Sequence, residues 1–174
     1  MKTIKMLLVV AVILAIAGIF MPQDYKVSET LVIHAPLDAV QGHVEDMDNW
    51  GRWTVWDEVQ PPAGRQLAHM ESGIGSGKYL SGNSGSGWFI VTNTSEIDGF
   101  EYTVHSDAGD KALAFVTFVD QGGSIEVNWA VKGNVSKPPV LAPYLALSKE
   151  FLLRSSIKQN LKNLKKMVEQ EDLK

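Results

Sequence analysis

One apolar stripe dominates the last part of the chain: Leu153, Ile157, Leu161, Leu164 and Val168 recur at spacings of 4, 4, 3 and 4. That is the period of an α-helix seen from one side. After Pro143 neither proline nor glycine interrupts the segment to about Gln170, so the helix is roughly 40 Å long at ~1.5 Å per residue. A single apolar face of that length must lie on a surface of matching length, and a sheet is the natural supplier. Arg154, Lys158, Lys162, Lys165 and Lys166 fill the flank and the opposite side.

The residues before it read as that sheet. Tyr25 to Ile33 is rich in β-branched side chains and forms a first strand. Ala35-Pro36 opens a short helix with a stripe at Val40, His43, Val44 and Met47, ending near Asn49. Trp50, Trp53 and Trp56 follow at spacing three. Turn signals then punctuate the chain at Pro61-Pro62-Ala63-Gly64, Ser72 to Gly77, and Gly82 to Gly87. Between and after them lie expected strands at 66–71, 78–81, 88–97, 100–106, 112–119 and 125–132. In the last of these, Ile125, Val127, Trp129 and Val131 alternate with polar or small residues, the mark of a half-buried strand. Gln121-Gly122-Gly123 reads as a hairpin turn. The expected fold class is α+β: a curved antiparallel sheet of about seven strands wrapped on a long C-terminal helix.

The N-terminus is a separate part. Lys2 and Lys5 precede an apolar run from Met6 to Met21, closed by Pro22. Two readings are open for residues 1–22, ahead of a domain at 23–174. One is a retained membrane anchor, short for a ~30 Å hydrocarbon core. The other is a signal peptide cut after Ala15-Ile16-Ala17, although Gly18 to Met21 continue the run beyond that cut. Either keeps the lysines cytoplasmic and puts the domain on the outer or periplasmic side.

Composition narrows the chemistry. The chain has no cysteine, which removes disulfides, thiol nucleophiles and cysteine-held metals. A net charge of −4 argues against nucleic acid as a partner. Residues 24–148 hold 7 Lys/Arg against 16 Asp/Glu, and residues 149–174 hold 7 against 4. The basic final helix either meets anionic lipid headgroups or is merely solvated.

Candidate groups each carry two readings. The tryptophans at 50, 53 and 56 either line a cavity mouth or fill the core, and Trp129 is core or cavity wall. His34, His43, His69 and His105 show no close ligand spacing, so no metal and no cofactor is expected. His34 reads as a loop residue and His43 as a helix-face residue. His69 and His105 fall on expected strands; with Tyr79, Tyr102 or Glu101 they would supply acid–base groups if they point inward. Glu150 sits one turn before Leu153 on the apolar stripe, or else is a first-turn charge of a helix that starts near Ser148. Gly73-x-Gly75-x-Gly77-Lys78 lacks the spacing and following helix of a phosphate loop. No Gly-x-Ser-x-Gly elbow is present.

The order of elements, together with Trp50-x-x-Trp53-Thr54-Val55-Trp56, Ile33-His34-Ala35-Pro36 and Gly85-Ser86-Gly87-Trp88, resembles the polyketide cyclase/dehydrase-like branch of the START/Bet v 1 (SRPBCC) superfamily. The resemblance covers essentially the whole chain. In two places the chain departs from that pattern: Val55 stands where a proline is usual, and Tyr79-Leu80-Ser81-Gly82 lacks an expected tryptophan. The resemblance implies a helix-grip fold with a cavity between sheet and C-terminal helix. It implies binding or carriage of a small hydrophobic, lipid- or polyketide-like ligand, and no catalytic set to carry over. The expected ligand-binding residues are Trp50, Trp53, Trp56, His69, Tyr79, Trp88, Tyr102, His105, Trp129, Glu150 and Ile157. Two alternatives stand: a cyclase or dehydratase using His, Tyr or Glu groups in the cavity, and a non-enzymatic module whose partner is another envelope protein.

Overall fold

The computed structural model describes residues 2–63, 73–95 and 99–171. An apolar helix α1 (Lys2–Phe20) leads into β1 (Asp24–Ile33), α2 (Leu37–Glu45) and a 3₁₀ turn (Met47–Arg52). Then come β2 (Asp57–Glu58), β3 (Gly77–Gly82), β4 (Gly85–Ser95), β5 (Gly99–Ser106), β6 (Lys111–Asp120) and β7 (Ile125–Asn134). The long α3 (Ala142–Glu171) closes the chain as one unbroken helix.

The strands form one seven-stranded antiparallel sheet in the order β1-β7-β6-β5-β4-β3-β2. Every neighbour pair but β1–β7 is consecutive in sequence, so the sheet is a meander closed by bringing its first strand beside its last. Registers such as Val27↔Val131, Trp129↔Val116 and Tyr102↔Ala114 put both members of each apolar pair on one face. That face buries Val27, Phe100, Tyr102, Val116, Val127 and Trp129. Against it α3 lays Ile157, Leu161, Leu164 and Val168, all buried. Each such side chain contributes about 1.5–3 kcal/mol of burial. This is the helix-grip arrangement, and the stripe that predicts the helix is the stripe that meets the sheet.

Two local readings change. The first helix stops at Glu45, not near Asn49, because Asp46 leaves helical geometry and its carboxylate accepts the N–H of Asp48 at 2.9 Å. That cap starts the 3₁₀ turn carrying Trp50. The edge strand seen beside β3 is the two-residue β2, and the strand expected at 66–71 lies outside the described residues. The Gln121-Gly122-Gly123 hairpin forms as expected, with both glycines at positive φ.

Candidate functional site

The 3₁₀ turn delivers Trp50 into the concave face of the sheet, and the chain then folds Trp53 and Trp56 around it. Trp50 lies 5.3 Å from Tyr102, 5.8 Å from Trp53 and 5.8 Å from Trp129 between ring centroids, each edge-to-face. Trp56 packs on Phe89 at 5.2 Å. Such pairs add about 0.5–1.5 kcal/mol beyond area burial. Trp50 donates its indole N–H to the Val44 carbonyl at 2.9 Å, and Trp129 donates to the Tyr102 hydroxyl at 3.0 Å. Burial pushes the Tyr102 phenol far above its ordinary pKa, with the Trp129 bond opposing. The tryptophans therefore fill the interior.

Polar residues of α3 hold this tryptophan segment in place. Asn160, fully buried, accepts the N–H of Val55 at 2.7 Å, and the amide of Asn163 donates to the Trp53 carbonyl at 3.0 Å. This gives Val55 its reason: a proline there has no N–H to donate. Val55→Pro would leave a buried carboxamide oxygen unpaired, and an unfolding titration should show a loss of about 1–3 kcal/mol. Asn160→Leu should remove most of that penalty from the double variant.

Between α3 and strands β4–β7 a small cavity of about 50 Å³ remains. Tyr25, Trp56, Phe89, Tyr102, Val131 and Leu153 line it, together with Ser84, Ser86, Ser106 and Lys149. The Trp56 indole N–H is buried without a hydrogen-bond partner. Gly82 lets the Trp56 ring lie on β3, since a β-carbon there would overlap the ring. Lys149 is ion-paired to Asp110, which is 2% exposed and also accepts the Ser136 N–H at 2.8 Å. Burial works against the Asp110 charge, but Lys149 and the Ser136 N–H outweigh it and hold the carboxyl below its usual range. Burial, with Asp110 nearby, pushes Tyr25 up to about 12. At neutral pH the cavity therefore offers hydroxyl and indole donors beside a satisfied ion pair.

The expected site residues divide. Trp50, Trp53, Trp56, Tyr102, Trp129 and Ile157 meet in the interior. Tyr79, Trp88 and His105 do not: as cross-strand neighbours they lie on the opposite face of the sheet from Leu80, Phe89 and Tyr102. There Tyr79 donates to Asp107 and packs on Trp88 at 5.7 Å. Burial, then the Lys111 charge, lowers the His105 pKa. Glu150 stays outside too, taking Arg154 at 3.2 Å one helical turn on. His43 meets Glu171 at 3.0 Å, the His34 backbone N–H donates to Glu169 at 2.9 Å, and His69 lies outside the described residues. Tyr25, Asp110, Lys149 and Asn160 were not anticipated as site residues. Asn160 carried a signal, a polar residue on the core face of the apolar stripe, where it requires a partner.

No family model matches the chain, and no curated protein is significantly similar in sequence. Solved structures do match in fold. A START superfamily protein from Mycobacterium smegmatis is 20% identical with a TM-score of 0.56, the match covering 84% of this chain and 98% of that one. A norcoclaurine synthase point mutant from Thalictrum, in complex with a transition-state analogue, is 12% identical with a TM-score of 0.62, covering 86% and 96%. A hypothetical protein from Helicobacter pylori is 11% identical with a TM-score of 0.59, covering 82% and 87%. The chain shares the helix-grip fold with these proteins.

Proposed function

We propose that this chain is a membrane-anchored helix-grip domain that binds a small hydrophobic ligand in the seam between α3 and the sheet. The observation that carries the reading is the seam cavity: mostly apolar walls from Phe89, Tyr102, Val131 and Leu153, with the unpartnered Trp56 indole N–H beside them. Apolar walls with a few placed donors are how small-molecule sites gain affinity and orientation. An acceptor on the ligand would complete the Trp56 N–H. The cavity is far below the roughly 300–1,000 Å³ of sites that enclose a drug-sized molecule. It is too small for a ring, since a cavity that takes up benzene measures about 150 Å³, and it suits the tip of an acyl chain, the rest lying along the seam. The norcoclaurine synthase match was solved with a transition-state analogue bound, which supports a ligand role for this architecture. α1 is long and apolar enough to cross a membrane, and its retention with the domain on the outer or periplasmic side is part of the proposal.

A cyclase or dehydratase reading has less support. Tyr25 and Tyr102 are both shifted away from the phenolate, and Lys149 is committed to Asp110, so none of these three groups is a free general base at neutral pH. The filled aromatic interior favours a second reading, an interaction module for another envelope protein.

Bromine quenches tryptophan emission on contact, so dibromostearate titrated into the full chain in nanodiscs tests the seam. Saturable quenching is expected in the native chain, reduced at least severalfold in Ala112→Phe, which places a ring in the cavity wall. Equal, non-saturating quenching in both proteins would contradict the proposal.

A further inference from the structure

We infer that the outer face of α3 is a membrane-docking surface, seated on the same bilayer that holds α1. The inference rests on reading α1 as a retained membrane helix, and its test reports on that reading separately.

The core stripe of α3 has a counterpart on the far side. Tyr144, Leu147, Phe151, Ser155, Lys158, Lys162 and Lys166 follow at spacings of 3, 4, 4, 3, 4 and 4, which makes one helix face. Its first turns are apolar and uncovered: Leu145 is 42% exposed, Leu147 55% and Phe151 74%, with Leu141 beside them at 57%. Beyond Ser155 the face turns basic. Lys158, Lys162 and Lys166 are exposed and make no ion pair among the described residues, whereas Lys149, Arg154 and Lys165 are all tied to carboxylates. An apolar end followed by free lysines is the pattern of a helix that dips under lipid headgroups at one end and meets their phosphates at the other.

The contact with α1 sets the depth. The Tyr144 hydroxyl donates to the Leu14 carbonyl at 2.7 Å. Gly18 packs so closely on the segment before α3 that a β-carbon there would fall 2.6 Å from the Val140 carbonyl oxygen. Leu14 is six residues before the end of α1 at Phe20, or about 9 Å along the axis. With α1 in the bilayer to Phe20, Tyr144 lies within the ~5–10 Å layer that interfacial helices occupy. Only Met21, Pro22 and Gln23 separate α1 from β1, so the domain cannot lift far from the surface. The apolar run of α1 is itself short for the hydrocarbon core, which draws the domain further in.

The absence of native cysteine makes the test direct. Single-cysteine versions of the full chain, Ile13→Cys, Leu147→Cys, Phe151→Cys and Thr117→Cys, carry an environment-sensitive fluorophore in vesicles of phosphatidylcholine and phosphatidylglycerol. A nitroxide on the lipid chains is the quencher. Quenching is expected at Ile13, Leu147 and Phe151 and not at Thr117, an exposed position on the outer face of the sheet. Replacing Lys158, Lys162 and Lys166 by Gln should cut the docked-to-undocked ratio about fivefold per lysine while leaving Ile13 unchanged. Quenching at Ile13 with water-like emission at both Leu147 and Phe151 overturns the docking and leaves the anchor standing. No quenching at Ile13 overturns both. Blue-shifted emission at Phe151 without lipid quenching, rising with protein-to-lipid ratio, would show a second copy on this face and also overturn it.

Discussion

Trp50→Ala is expected to lower the unfolding free energy by about 3–5 kcal/mol, the range for removing a large aromatic from a packed core. Trp50 is 1% exposed and touches Trp53, Trp56, Phe89, Phe100, Tyr102 and Trp129. No neighbour can collapse into its place without moving the others. Its loss also leaves the Val44 carbonyl without the indole donor. Thermal unfolding followed by near-ultraviolet circular dichroism should show Tm lower by about 10 °C for a chain of this size. Trp50→Phe keeps a ring, loses the hydrogen bond, and should cost less than half as much. A Trp50→Ala chain with unchanged Tm would mean that the cluster does not hold the sheet to α3.

The second large effect is expected at Lys149. Lys149→Met leaves the Asp110 carboxylate buried without its ion-pair partner, a loss of about 3–5 kcal/mol at neutral pH. The sign of its pH dependence follows from the folded-state pKa. In the native chain Asp110 is held below the ordinary value, so its contribution is full above about pH 4 and is lost as pH falls through the folded pKa. In Lys149→Met burial is no longer opposed by the ammonium, the folded pKa rises, and protonation favours the fold. The stability gap between native and variant chains should therefore narrow from pH 7 to pH 4, read from urea midpoints. Asp110→Asn in the Lys149→Met background should recover much of the loss at pH 7. A gap independent of pH would show that the ion pair is not what Lys149 contributes.

The sequence disclosed most where one periodicity had one consequence. The stripe from Leu153 to Val168 became the buried face of α3, and the alternation from Ile125 to Val131 became the inward face of β7. Where a pattern allowed two outcomes, tertiary packing decided. The spacing of Trp50, Trp53 and Trp56 fits a cavity rim as well as a core, and only the path of the 3₁₀ turn beneath the sheet buries all three. Alternation marks two faces of a strand without saying which is inside. His105, Tyr79 and Trp88 fell on the outer one, paired in regular register across β3, β4 and β5. The seam's ion pair joins Asp110 and Lys149 across 39 residues, a separation that local reading does not bridge.

Native mass spectrometry of the full chain released from its own membranes shows whether a small hydrophobic ligand is held under α3. One apolar species bound in a one-to-one ratio, and lost in Ala112→Phe, is the expected spectrum. Repeated release of the bare chain from the native protein would contradict the claim and leave the filled interior to an interaction module.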